Sequence, residues 1–297
     1  MADDSADAHV GNWGRWGDDD ERGAINLIGE SKRLEAAACI RAGQSISLSM
    51  PLNTKPGPFN PAPVEFELGT SPWGDSAGYA HDRVTLECHD RNITHIDALC
   101  HIWDGRGMWG GRQPDVLKPE GSCWADVDAW RDGIVTRGLL LDIPALRGTT
   151  HVTVDEPVHG WELDAAARAA GTEPKPGDAL CVYGGRAAWE REARDSWDTY
   201  PPEVRPGLHA SCVDYLRDHD VAVLVWDLVD ARPAIEGGPW PVHGALISLG
   251  IALVDHAKLD SLVELCRQRD QHTFMLVIAP LRIPGATGSA VNPIAIL

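Results

Sequence analysis

The second half of this sequence alternates between short apolar runs and amphipathic segments, and this alternation constrains the fold more than any other feature. The apolar runs cover residues 133–143, 176–183, 221–226 and 251–254. Short runs of this kind are typical of strands buried on both faces of a parallel sheet. Segments with helical spacing cover residues 163–170, 212–219, 241–250 and 259–268. Repeated strand–helix alternation, with no internal repeat or linker, predicts one α/β domain.

Further elements are expected outside this alternating block. Strands are predicted at 45–50, 84–88 and 274–282, and Ser31 is a candidate N-cap for a helix over residues 32–42. Five prolines between residues 51 and 63 predict a long irregular loop. Such a loop either covers an active site or is a passive surface excursion.

Composition narrows the class of protein. A formal net charge of -18 disfavours nucleic acid and anionic membrane surfaces as partners. No apolar run approaches the roughly 20 residues that span a bilayer, and the first residues lack the pattern of a signal peptide. Seven scattered cysteines show no paired metal spacing. These features predict a cytoplasmic enzyme whose partner is a small-molecule substrate.

The segment from Thr94 to His101 carries the strongest chemical signal. It places His95, Asp97 and His101 within seven residues. Residues two apart on a strand point to the same side, so His95 and Asp97 share a face if the segment is extended. Imidazole and carboxylate together bind zinc or manganese, whereas His101 suits proton transfer. Taken alone, a His-x-Asp pair is also typical of a surface hydrogen bond.

This segment resembles the signature H-x-G-T-H-x-D-x-P-x-H of the cyclase superfamily of metal-dependent hydrolases, which includes kynurenine formamidase, isatin hydrolase and trans-dienelactone hydrolase. Thr94, His95, Asp97 and His101 match its threonine, second histidine, aspartate and last histidine. The resemblance implies that His95 and Asp97 bind metal and that His101 acts in catalysis. Arg91 stands where the family has its first metal-binding histidine, and a guanidinium cannot ligate a cation.

The resemblance extends to a second half-site and covers the chain from Trp13 to Leu297. His243 matches a family histidine in a helix, and Asp255 stands where the family has a metal-binding glutamate twelve residues later. The resemblance therefore implies a zinc or manganese site formed by His95, Asp97, His243 and Asp255. Without it, His243 would be interpreted as a histidine that hydrogen-bonds the start of a helix.

The family resemblance also implies a swivelling β/β/α fold, a homo-oligomer and an N-terminal extension over about residues 1–45 of a single domain. The expected activity is metal-dependent hydrolysis of a cyclic amide, lactone or related bond, with His101 and Arg91 as catalytic residues. One alternative is a cyclase, lyase or dehydratase on the same scaffold, metal-free, in which Arg91 holds an oxyanion. Another is a binding protein without catalysis.

Three features are left with open interpretations. His89 lies two residues before Arg91 and is a candidate replacement for the missing ligand. His209 is either an additional base or, as we favour, a helix-capping residue. Six tryptophans in expected loops either line a pocket or pack loops onto the body. They are Trp73, Trp103, Trp109, Trp124, Trp226 and Trp240.

Overall fold

A computed structural model describes residues 11–196, 203–234 and 238–297. Its seven α-helices in the described ranges are α1 (Glu30–Ala37), α2 (Ile143–Arg147), α3 (Gly160–Ala169), α4 (Arg186–Ser196), α5 (Cys212–Asp218), α6 (Gly244–Leu249) and α7 (Asp260–Arg269). The strands are β1 (Ser45–Ser47), β2 (Glu65–Trp73), β3 (Ala77–Thr85), β4 (His95–Asp97), β5 (Leu117–Lys118), β6 (Gly121–Ser122), β7 (Ile134–Asp142), β8 (Ala179–Tyr183), β9 (Val223–Trp226), β10 (Ala252–Asp255), β11 (Thr273–Ile278), β12 (Gly288–Ala290) and β13 (Ile294–Ile296).

One nine-stranded mixed sheet forms the centre of the fold, in the order β1-β13-β11-β7-β8-β9-β10-β4-β12. Strands β7, β8, β9 and β10 are consecutive in this order and run parallel to one another. On either side of them, β11 pairs antiparallel with β7 and β4 pairs antiparallel with β10. The parallel strands correspond to the apolar runs of the sequence, and their residues are almost all buried. The predicted α/β class with a swivelling β/β/α arrangement is confirmed.

Helices cover the sheet where the sequence predicted them, with ends that differ by a few residues. Helix α1 begins after Gly29 and not at Ser31, so the predicted N-cap is wrong. Helices α2 and α4 were not predicted, because α2 has only five residues and α4 is rich in charged residues. Gly138 of β7 is paired with Phe274 of β11. A Cβ on Gly138 would lie only 2.3 Å from the ring of Phe274. A larger residue there would displace the ring from the core.

The strand expected at 84–88 is placed differently. Strand β3 ends at Thr85 and pairs with β2 in a separate two-stranded sheet. Turns and irregular backbone then occupy residues 86–94, and only the three residues of β4 are extended in the motif. The strand that holds the motif is therefore β4, which lies between β10 and β12 in the main sheet. The hairpin itself was not predicted, because its two strands are almost entirely exposed and lack the sustained apolar alternation of a strand with a buried face.

The described part of the N-terminal segment is bound to the body of the domain. The backbone N–H of Asn12 donates to Ser248 at 2.8 Å, and the indole N–H of Trp13 donates to Ile247 at 2.5 Å. Arg15 forms an ion pair with Asp220. Among the described residues, none of the helices has the length and apolar character that a bilayer crossing needs.

Candidate metal centre and active site

Strand β4 is the frame of the candidate site. Its residue His95 is paired with Asp255 of β10, and Asp97 is paired with Leu253 of β10 on one side and Gly288 of β12 on the other. His95 and Asp97 are almost completely buried. Burial of a carboxylate and an imidazole is costly unless each finds a polar partner or a metal ion. The groups around His95 and Asp97 must therefore supply these partners or leave room for a metal ion.

His89, which is partly buried, joins the buried His95 and Asp97 in one cluster. Its Nδ1 atom lies 2.9 Å from Asp97 Oδ1, and His95 Nε2 lies 3.4 Å from the same oxygen. The other nitrogen of His95 donates to the carbonyl of Ile93 at 2.8 Å, which leaves Nε2 directed at the cluster. One ligand atom from each of the three residues lies within 4.8 Å of the others.

Gly288 makes room for His89. A Cβ on Gly288 would lie 2.6 Å from the His89 ring and 2.6 Å from the carbonyl oxygen of Ile96. The second ring nitrogen of His89 is 3.1 Å from the hydroxyl of Thr287 on the same segment. The segment before β12 thus fixes the orientation of a histidine that the turn after β3 supplies.

His101 lies beside the cluster without belonging to it. Its ring stacks on that of His89 with centroids 3.7 Å apart, and its Nε2 atom is 4.0 Å from Asp97 Oδ1. Burial lowers the pKa of His101 to about 4, although the charge of Asp97 acts in the opposite direction. The imidazole is therefore neutral at neutral pH and able to accept a proton.

A second group of polar residues reaches the site from the other side of β4. His243, immediately before α6, has Nδ1 2.6 Å from Asp230 and Nε2 2.9 Å from Asp255. The indole N–H of Trp226, at the end of β9, donates to the other oxygen of Asp255 at 2.5 Å. Asp97, His243 and Asp255 also have ligand atoms within 4.8 Å of one another, so Asp97 is common to both groups.

His243 lies between two carboxylates that favour its protonated form. Burial lowers the pKa of His243, but the negative charges of Asp230 and Asp255 and their hydrogen bonds outweigh it, so the pKa lies well above 6.5. The backbone N–H groups of Val242 and His243 also donate to Asp230. This network orients the ring before any ligand is bound.

The structure brings most of the residues singled out from the sequence together. His95, Asp97, His101, His243 and Asp255 all meet around the paired strands β4 and β10. Their roles stay predictions. Arg91 lies half-buried in the turn before β4, and its carbonyl accepts a hydrogen bond from Arg186 at 2.8 Å.

Other residues were missed or are explained differently. Asp230 gave no signal in the sequence, and Trp226 was singled out only as a tryptophan, because only the fold brings these residues to His243 and Asp255. His209 accepts the N–H of Ser211 through Nδ1 in the turn before α5, whose N-cap residue is Ser211 itself. Of the six tryptophans singled out from the sequence, Trp109, Trp124 and Trp226 are buried in the core, whereas Trp73 and Trp103 are exposed.

The donor set fits a divalent metal ion. Asp97 Oδ2 is buried and has no hydrogen-bond partner among the described residues. A carboxylate oxygen left in this state costs free energy, and a cation would remove that cost. Two imidazoles and one carboxylate are suitable ligands for zinc or manganese. His89, His95 and Asp97 therefore form the candidate metal-binding set, with His243 and Asp255 adjacent.

The sequence also matches a family of known proteins. A family model described as putative cyclase matches residues 46–231, more than half of the chain. The chain belongs to the cyclase family. The match includes the segment from His89 to His101 and ends before His243. No curated protein sequence matches this chain.

Solved structures share the fold of this cyclase family member. One described as a novel cyclase has a TM-score of 0.83 and 26% identity, and covers 97% of this chain and 100% of its own. Isatin hydrolase A from Labrenzia aggregata, bound to benzyl benzoate, has a TM-score of 0.56 at 16% identity, with 88% and 94% covered. An isatin hydrolase bound to the product analogue thioisatinate has a TM-score of 0.57 at 16% identity, with 92% and 97% covered.

Proposed function

We propose that this protein is a metal-dependent hydrolase that opens a cyclic amide, lactone or related bond in a small ring-containing substrate. The observation that carries the proposal is the cluster of partly buried His89 with buried His95 and Asp97, in which one carboxylate oxygen lacks a hydrogen-bond partner among the described residues. Membership of the cyclase family and the fold shared with isatin hydrolases support the reaction class.

The metal would be held by His89, His95 and Asp97, and zinc and manganese are the ions that suit this set. When bound, such an ion lowers the pKa of water and polarises a carbonyl group. His243 and Asp255 lie next to the set through their contact with Asp97. The proposed set differs from the one expected from the family signature, because His89 takes the place that Arg91 cannot fill.

His101 is the proposed proton carrier. Its ring is neutral near pH 7 because its pKa lies at about 4, and stacking on His89 holds it at the edge of the cluster. It would accept a proton from the attacking water and then deliver it to the leaving nitrogen or oxygen. His243, oriented by Asp230 and Asp255, forms the polar wall on the opposite side.

The test is hydrolysis of a panel of cyclic amides, lactones and imides, with isatin as one member, by protein stripped of metal and then reconstituted with zinc or manganese. Asp97→Asn keeps the shape of the side chain but removes its charge. We expect reconstitution to restore turnover in the wild type and not in Asp97→Asn. His81→Ala, on the exposed hairpin, is the control.

Two outcomes would contradict the proposal. Turnover by stripped protein that does not change on adding metal would favour the metal-free alternative with Arg91 as oxyanion holder. Absence of turnover across the panel, together with ligand binding, would favour a non-catalytic binding protein. Circular dichroism of each variant establishes that it is folded.

A further inference from the structure

A cavity of about 260 Å³ lies beside the carboxyl ends of strands β8, β9 and β10, and we term it the Arg186 cavity. Its lining includes Arg186 and Ala187 of α4, Asp227 directly after β9, and Ala257 and Lys258 shortly after β10. Ligands of α/β proteins commonly bind outside the carboxyl ends of parallel strands. No residue of the candidate metal centre is among the described residues that line it. The cavity is therefore separate from the metal centre and in a position suited to a ligand.

Arg186 brings an incompletely paired guanidinium to this cavity. Its side chain is almost completely buried, its Nε donates to Glu190 at 2.6 Å, and its Nη2 donates to the carbonyl of Arg91 at 2.8 Å. The Nη1 atom is buried and has no hydrogen-bond partner among the described residues. A guanidinium stays protonated in proteins, so it cannot avoid this cost by losing its charge. An anion that accepted the Nη1–H group would remove the cost.

Lys258 is a second cation at the cavity. It is exposed, and its ammonium group forms no ion pair within the described part of the chain. This is notable in a chain with 44 acidic side chains against 26 lysines and arginines. Two carboxylates of the lining are engaged elsewhere, since Glu190 pairs with Arg186 and Asp260 accepts the hydroxyl of Tyr183 at 3.3 Å. Lys258 is therefore available to an anion in the cavity.

Asp227 does not compete with such an anion for the two cations. Its two oxygens accept four backbone N–H groups at 2.7–2.9 Å, which belong to Gly184, Gly185, Arg186 and Leu228. The hydrogen-bonding capacity of this carboxylate is thus used by the backbone. The negative charges of Asp227, Glu190 and Asp260 nevertheless repel a dianion more strongly than a monoanion. A carboxylate is therefore favoured over a phosphate as the occupant.

We propose that the Arg186 cavity binds a small organic monocarboxylate, whose oxygens accept hydrogen bonds from Arg186 Nη1 and from Lys258. Hydrogen bonds between a charged donor and a carboxylate are among the strongest in proteins. Part of the lining is apolar and suits a carbon skeleton, with side chains from Met50, Pro51, Ala187 and Ala257. Drug-sized ligands occupy pockets of about 300–1,000 Å³, so a cavity of about 260 Å³ admits only a smaller molecule.

Arg186 also connects the cavity with the turn before β4. Its Nη2 holds the carbonyl of Arg91, and Asn92 of the same turn lines the cavity. A bound carboxylate would therefore lie against the segment that supplies His89. The proposal does not rest on the hydrolase function, because the groups that hold the carboxylate are not those that hold the metal.

The test is titration calorimetry of full-length protein with phenylacetate, in the presence of a chelator so that no metal ion takes part. Phenylacetamide has nearly the same shape without the charge. We expect phenylacetate to bind about 10-fold more tightly or better, because hydrogen bonds to charged groups contribute enough for a factor of this size. Inorganic phosphate, the dianionic probe, should bind more weakly than phenylacetate.

Three variants locate the binding site. Ala187→Leu fills the cavity from an exposed position of α4 and should weaken phenylacetate binding about 10-fold or more, whereas Ala187→Ser, its matched control, should stay within a few-fold of the wild type. Lys258→Gln should weaken binding about 3-fold, and Lys118→Gln makes the same charge change at an exposed lysine outside the cavity. Arg186→Lys keeps the charge but loses the planar fork, and should weaken binding about 10-fold.

Circular dichroism checks that each variant is folded. Ala187→Leu and Lys258→Gln change exposed positions, so they decide the question even if Arg186→Lys does not fold. A wild type that binds no phenylacetate at millimolar concentrations would overturn the proposal. Equal affinity for phenylacetamide would show a cavity without anion recognition, and tighter binding of phosphate would rule out a monocarboxylate site. Unchanged binding in Ala187→Leu would place the ligand elsewhere and also overturn the proposal.

Discussion

His89 Nδ1 lies 2.9 Å from Asp97 Oδ1, although eight residues separate them and Arg91 occupies the signature position of the first histidine. The contact is possible because the chain turns between β3 and β4 and because Gly288 has no side chain to fill the space. The imidazole that is missing at position 91 is thus available from His89, two residues earlier. This relationship decides which residues we expect to bind metal.

His89→Ala should weaken metal binding. Loss of an outer partner of a metal ligand costs 10–100-fold in affinity, so loss of a direct ligand should cost roughly 100-fold or more. Titration calorimetry of stripped protein with zinc and with manganese measures the change. His81→Ala, which removes an exposed imidazole, should bind as the wild type does. Equal affinity in His89→Ala and wild type would exclude His89 from the site.

His101→Asn should reduce turnover while the metal stays bound. Removing a group that transfers protons in the reaction costs about 10²–10⁴-fold in rate. His101 is 4.0 Å from Asp97 and is not part of either candidate ligand group, so metal content should not fall. Turnover and elemental analysis are measured on the same preparation. A rate near that of the wild type would remove His101 from the proposed mechanism.

Asp230→Asn should lower the pKa of His243. Its carboxylate raises that pKa through charge and a 2.6 Å hydrogen bond, and burial alone acts in the opposite direction. In the variant, His243 should therefore lose its proton at a lower pH than in the wild type. An NMR titration of the His243 ring nitrogens in metal-free protein measures both values. An unchanged or higher pKa would show that Asp255 alone sets the charge of the ring.

Glu162→Gln should destabilise the fold in a pH-dependent way. Glu162 is buried, pairs with Arg147 through both oxygens at 2.7 Å, and accepts the backbone N–H of His159. Burial raises the pKa of Glu162, but these hydrogen bonds and the charge of Arg147 hold it below 4.5. The stability from the ionised group is therefore present above pH 4.5 and is lost as the pH falls through the lower pKa of the folded state.

The expected loss in Glu162→Gln at pH 7 is about 2 kcal/mol, because the partly buried guanidinium of Arg147 loses its charged hydrogen-bond partner. The difference from wild type should shrink at acid pH. Urea unfolding at several pH values measures it. Asp164→Asn, which removes an exposed ion pair with Arg168 in the same helix, should cost less than about 1 kcal/mol. A loss in Glu162→Gln that is constant with pH would contradict the role of its charge.

The sequence by itself determined the parallel core and one half of the site. The runs that became β8, β9 and β10 are almost entirely apolar, because strands buried on both faces need no polar side, whereas the run of β7 is interrupted at Thr136, Arg137 and Gly138. His95 and Asp97 were placed on a common face correctly, since a two-residue period is a local property of extended chain. Sequence patterns were sufficient for features that depend only on residues a few positions apart, such as the burial of a strand or the alternation of its two faces.

Only the tertiary structure decided the partners of these residues. His89 reaches Asp97 through a turn, Asp230 reaches His243 across thirteen residues, and Trp226 reaches Asp255 from a neighbouring strand. Each contact depends on how strands are ordered and how loops close, and no pattern in a short segment specifies either. The hairpin was missed for a related reason. Its strands have no buried face in the described chain, and the apolar alternation that begins at Phe66 and Leu68 breaks off at Gly69.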